Sequence, residues 1–159
     1  MFKKIIGLML LVATMLCVGC AKTEKDDAKD VGDALKVVAD RFVTYIDDED
    51  KIREAFKNGE LNWNEYIDKA SEAAKEAYED IEKKTSKLEK LEVKEKVRPL
   101  KAKAIRVVAS LKTFLEYKTR PYDTSPQMEY QINKLLSEFD SHLDDFRYDY
   151  YSIVNKHWN

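Results

Sequence analysis

Three groups of residues in this 159-residue chain have types and spacings that chemistry could use. His142 and His157 are the only histidines, and Glu138 lies one helical turn before His142. Carboxylate-bridged di-iron bundles place Glu-x-x-His on two helices. Here Phe139 and Val154 occupy the positions where that motif needs glutamate. A single Glu138–His142 pair also falls short of a metal site's ligand count. His142 is therefore expected at the core edge, hydrogen-bonded to a neighbour, with metal binding as the alternative. The second group is residues 54–65, EAFKNGELNWNE, which partly follow the spacing of a helix–loop–helix calcium site. Glu54 and Phe56 fall where that loop needs short oxygen ligands. A helix stop followed by a helix cap explains the same residues. The third group is tyrosine, with six of nine from Tyr117 onward. Tyr148 and Tyr151 are expected against neighbouring helices with their hydroxyls in water. The alternative is an aromatic surface that binds glycan, peptide or a protein partner. No Gly-rich phosphate loop, Ser/His/Asp set or zinc spacing occurs. No catalytic residue, enzymatic activity or cofactor is expected.

Cysteine chemistry is confined to Cys17 and Cys20. Both close an N-terminal segment, MFKKIIGLMLLVATMLCVGC. Lys3 and Lys4 precede an uncharged apolar run of fifteen residues, Ile5 to Gly19. That run is shorter than the about 20 residues a helix needs to span a bilayer core. It has the layout of a secretory signal peptide. Val18-Gly19-Cys20, followed by polar Ala21-Lys22-Thr23-Glu24, resembles the lipobox of bacterial lipoproteins, departing from it at Cys17, where leucine is favoured. The resemblance implies cleavage before Cys20, acylation of its sulfur and display on the outer face of a bacterial membrane. It covers about an eighth of the chain. Cleavage there leaves one thiol, consumed by lipid, so the exported domain has no disulfide, Cys metal site or Cys nucleophile.

Charge gives the remaining site. Residues 83–106 hold Lys83, Lys84, Lys87, Lys90, Lys94, Lys96, Arg98, Lys101, Lys103 and Arg106 against Glu89, Glu92 and Glu95. The segment is thus +7, while the chain is −2, or −4 without Lys3 and Lys4.

The elements that must position these groups are helical. Beyond the leader only Gly32, Gly59, Pro99, Pro121 and Pro126 interrupt a chain with 36% charged residues. Such a composition favours long helices. Residues 20–30 read as a solvated tether, and residues 31–159 as one domain with a real core. Val31, Leu35, Val38 and Phe42 begin helix one, with a candidate break at Asp47-Asp48-Glu49-Asp50 and a stop at Asn58-Gly59. Asn62 with Glu65 caps helix two. A reversal is expected over 89–95, with one long helix kinked at Pro99 as the alternative. Helix three starts near 95–98, with Pro99 in its first turn. Thr124 with Gln127 caps helix four, whose stripe includes Met128, Ile132, Phe139, His142, Phe146 and Tyr150. The expected fold is an all-α, up-down antiparallel bundle of four helices of about 24–32 residues. A three-helix bundle with a broken first helix is the alternative.

In an up-down bundle the second reversal lies at the N-terminal end, which is the lipid end. Lys83, Lys84, Lys87, Lys90, Lys94, Lys96, Arg98, Lys101 and Lys103 are then expected to contact the membrane surface, facing anionic headgroups or a cell-wall polymer. Local neutralisation by Glu24, Asp26, Asp27, Asp30 and Asp33 is the competing reading. The expected role is a binding or structural module of the cell envelope, held by lipid on Cys20. The alternatives are an envelope enzyme or metal-binding bundle, and an accessory subunit docking through the aromatic C-terminal helix. Nucleic acid is not an expected partner.

Overall fold

A computed structural model describes residues 22–120 and 126–155. The expected Thr124 cap, His157 and Cys20 lie outside these residues. The chain forms four helices: α1 (Glu24–Lys57), α2 (Trp63–Lys90), α3 (Arg98–Lys118) and α4 (Pro126–Val154). A short 3-10 turn, Glu95–Val97, leads into α3. There are no strands among the described residues. None of these helices is long and apolar enough to cross a membrane.

The local signals at the helix ends do what their chemistry dictates. At the end of α1 the Glu60 N–H donates to the Ala55 carbonyl and the Gly59 N–H to that of Phe56, at 2.9 and 3.0 Å. This hydrogen-bond pair needs a left-handed residue at the turn, and Gly59 supplies it with φ of 77°. The Asn62 side chain accepts from the N–H groups of Asn64 and Glu65, and the Glu65 carboxylate accepts the Asn62 N–H at 2.8 Å. Residues 54–65 are thus a helix stop followed by a capping box. Pro99 sits in the first turn of α3, where a missing N–H loses no helical bond. Helices two and three are therefore separate elements.

Two sequence expectations are overturned. Residues 24–30 are not tether: α1 begins at Glu24, capped by Thr23. The Asp26 carboxylate accepts the Thr23 N–H at 2.8 Å, and the Asp26 N–H donates back to Thr23 Oγ1. Ala28 is fully buried and Asp27 is 2% exposed, so these turns belong to the packed domain. Nor does α1 break at Asp47–Asp50. Asp48 and Asp50 are matched one turn on by Lys51 and Arg53, at 3.0 Å each, and the three-helix alternative falls with the break.

The pairing of helices follows from contacts along their length. Gly32 of α1 meets Tyr150 of α4, and Phe42 meets Phe139, so these two helices run antiparallel. Ser110 of α3 with His142, and Lys103 with Asp149, give α3 and α4 the same relation. Lys112 of α3 reaches Glu82 of α2 at 2.9 Å. Phe42 is the centre of the core, with Phe114 edge-on at 5.7 Å and Phe139 tilted at 6.1 Å. This places side chains of α1, α3 and α4 in one aromatic cluster. α2 contributes Ala74, Ala77, Ile81 and Leu88, all fully buried. Small residues of this kind permit a short interaxial distance.

The α1–α4 contact is close at Gly32. A Cβ placed on Gly32 would lie 2.8 Å from Cε2 of Tyr150. Gly32→Val should therefore cost about 1–3 kcal/mol through overpacking, read as a lower urea midpoint with unchanged slope. The loss should shrink in a Tyr150→Ala background, because the two side chains share one space.

Candidate functional site

The end of the bundle at which α1 begins is built from three pieces of chain. These are the first turns of α1, the reversal between α2 and α3, and the last turns of α4. The Lys94 N–H donates to Asp27 Oδ2 at 2.7 Å across 67 residues of sequence. Lys22 Nζ lies 3.1 Å from the other Asp27 oxygen and 2.8 Å from Asp30. Lys96 reaches Glu24 at 3.1 Å. The reversal therefore does lie beside the start of α1, as an up-down bundle requires.

Asp27 is the buried acid of this end. Burial alone would raise its carboxyl, but the Lys94 N–H and the Lys22 ammonium outweigh that, and its pKa is lowered. The same contacts raise Lys22, first through Asp30 and then Asp27. Asp26 is lowered by the Thr23 N–H and hydroxyl. Of the five acids in the competing reading, Glu24 and Asp27 meet the basic segment, through Lys96 and Lys94, while Asp30 pairs with Lys22, Asp26 caps α1 and Asp33 is exposed.

The basic residues divide by what they touch. Lys101 Nζ donates to the carbonyls of Glu89 and Leu91, at 2.6 and 2.8 Å. It caps the C-terminal end of α2, where the helix leaves carbonyls unpaired and partial negative charge collects. Lys103 pairs with Asp149 at 2.6 Å. Both are half-buried and engaged inside the bundle, which corrects their place in the expected contact surface. Lys83 lies 3.9 Å from Asp80, a carboxylate lowered first by Arg41, with Lys83 and Lys84 contributing. Lys87, Lys90, Lys94 and Arg98 are exposed, and their side chains form no ion pair among the described residues. Glu89, Glu92 and Glu95 are exposed between them.

The opposite end holds a second buried acid. Glu49 of α1 meets Lys118 of α3 at 2.6 Å, with side-chain exposures of 6% and 15%, and Arg53 lies 3.6 Å away. The Tyr45 hydroxyl is buried without a hydrogen-bond partner. Burial, and then the Glu49 carboxylate, push its pKa well up. Phe56, Trp63 and Tyr66 group at the α1–α2 turn, with ring centroids 4.9–5.7 Å apart. Phe56, at the third place of the calcium-like spacing, is part of this aromatic cluster.

The histidine finds the expected kind of neighbour. His142 Nδ1 and Ser110 Oγ are 2.7 Å apart, and Ser110 Oγ also donates to the Arg106 carbonyl at 3.2 Å. Glu138 is exposed and lies 3.8 Å from Lys134. Among the described residues no three His, Cys, Asp or Glu side chains group around a metal position. The Ser110–His142 pair is one that sequence reading missed, because 32 residues separate its members. Both sit in mid-helix, where backbone N–H groups are taken by the helix itself. On α4, Tyr148 is 79% exposed and does not lie against a neighbour, contrary to expectation. Tyr151 meets Tyr150 edge-on at 5.6 Å. Exposed Tyr130 lies 18 residues before Tyr148, about 27 Å along the helix. These tyrosines do not make one patch.

Asp27→Ala should destabilise the protein by about 2–3 kcal/mol at pH 7, since a charged acceptor is lost and the Lys94 N–H is stranded. The folded pKa of Asp27 is depressed, so its contribution is complete above the unfolded value of about 3.9 and is lost as pH falls through the folded one. The gap between wild type and variant in urea denaturation should be constant from about pH 5 to 7 and narrow as pH falls below the unfolded value of about 3.9. A gap independent of pH would mean the charge is not its source.

Compared with known protein families, curated proteins and solved structures, the chain matches none. Any functional reading therefore rests on the sequence of the leader and the geometry of this end.

Proposed function

We propose that the protein is a lipid-anchored module of the bacterial cell envelope, carried on the extracytoplasmic face of a membrane by acylated Cys20. It acts there as a binding or structural element and not as an enzyme. The observation that carries this reading is the Gly19-Cys20 junction, which ends the fifteen-residue apolar run three residues before the cap of the first helix. A leader followed at once by a capped helix suits a chain whose folded part starts at the anchor. The bundle interior also supports a non-catalytic role. Asp27, Glu49 and Thr85 are engaged in hydrogen bonds or ion pairs within the bundle, while the Tyr45 hydroxyl is a buried exception.

A second reading, an accessory subunit of an envelope complex, is favoured by one feature. Tyr148 of α4 is 79% exposed among the described residues. Tyrosine brings apolar contact area and a hydroxyl at low entropic cost, which is why it is common at interfaces.

The anchor is tested on the mature protein. Intact mass should show a chain beginning at Cys20 with acyl groups, and Cys20→Ser should leave the membrane fraction. Membrane retention of Cys20→Ser at the wild-type level would remove the lipobox reading.

A further inference from the structure

We infer that the α2–α3 reversal is a contact surface for anionic phospholipid headgroups, and that a very short leash holds the bundle standing on it. The inference rests on the Cys20 anchor proposed above. Only Ala21, Lys22 and Thr23 separate Cys20 from Glu24, the first residue of α1. At about 3.3–3.6 Å per residue, that stretch spans at most about 14 Å. Lys96 touches Glu24, and Lys94 is fixed to Asp27 through its backbone. The reversal is thus bound to the same few turns of helix that the lipid would hold.

Charge on this surface is modest. Lys87, Lys90, Lys94 and Arg98 point outward unpaired among the described residues, with Glu89, Glu92 and Glu95 between them. Of the acids of α1 nearby, Glu24, Asp27 and Asp30 are engaged by Lys96, Lys94 and Lys22, Asp26 caps the helix through Thr23, and Asp33 is exposed. So small an excess would not recruit a free protein to a membrane, because exposed charges are screened beyond about 8–10 Å. The leash removes that requirement. It keeps the cations at a high effective concentration beside the headgroups, so a weak attraction is enough to orient the bundle. A tether running from 20 to 30 would have reached about 35 Å and lost this effect.

The test uses the acylated protein in vesicles, with a nitroxide attached to its single reactive thiol, introduced as Glu92→Cys or Glu60→Cys. Leader cleavage removes Cys17 and lipid occupies Cys20. Nickel chelated on headgroups should relax the label strongly at the first site and little at the second. The difference should grow when phosphatidylglycerol replaces part of the phosphatidylcholine. It should be lost in Lys87→Glu/Lys90→Glu/Lys94→Glu/Arg98→Glu, with helical circular dichroism unchanged. It should also be lost when a Gly-Ser insert of about 20 residues behind Ala21 adds roughly 25 Å of reach. Equal relaxation at both sites, indifference to phosphatidylglycerol, or contact that survives the insert overturns the inference. Equal binding of soluble poly(glycerol phosphate) would reassign the surface to a cell-wall polymer and overturn the lipid assignment. A mass without acyl groups refutes the anchor instead. The contact then falls with the anchor, because so small a charge excess does not recruit a free protein.

Discussion

Two buried carboxylates on α1 set the register of the whole bundle. Asp27 and Glu49 are 22 residues apart, about 33 Å along the helix. Asp27 meets the Lys94 N–H just before α3, and Glu49 meets the Lys118 ammonium at its end. The apolar core between them, centred on Phe42 and Phe114, is attractive but not directional. A helix sliding by one turn could still bury leucines and valines. It would also leave Asp27 or Glu49 buried without a partner, at a cost of about 3–5 kcal/mol for each uncompensated charge. Desolvation offsets much of what such pairs gain, so their main effect is to exclude other alignments. α1 and α3 thus run parallel across the bundle diagonal with both ends fixed. α2 and α4 fill the remaining positions through Ala74, Ala77 and the Gly32–Tyr150 approach.

Much of this was legible from local chemistry. Gly59, the Asn62–Glu65 cap and Pro99 mark helix ends because their effects act within a few residues. The stripes through Val31–Phe42, Leu100–Phe114 and Met128–Phe146 show the faces that meet. What escaped reading depends on partners distant in sequence. Residues 24–30 look like a solvated tether because they hold no apolar side chain larger than alanine. They fold because Asp27 finds Lys94 and because Thr23 and Asp26 cap each other. The acidic run at 47–50 suggests a break until Lys118, from 69 residues away, reaches Glu49. Lys101 and Lys103 look like surface charge, yet one caps α2 and the other joins α4. The Ser110–His142 contact shares this origin. Local patterns thus gave the elements, while the polar contacts that align them came from tertiary packing.

The register bears on the proposed anchor. Asp27 ties the reversal to the start of α1, so an anchor at Cys20 would share one end with the outward cations. Because α1 starts at Glu24, such an anchor would hold that end close. The opposite end, with Phe56, Trp63 and Tyr66, would then stand away from the membrane by the full length of α1. On the proposed anchor the protein would be a short rigid post, oriented by covalent attachment and weak charge together. Neutron reflectometry of the acylated protein on a supported bilayer containing phosphatidylglycerol tests that account most directly. The 34 residues of α1 predict a protein layer about 50 Å thick resting on the headgroups without a solvent gap. A layer of about 20 Å, the width of two packed helices, or one separated from the headgroups by water, would contradict it.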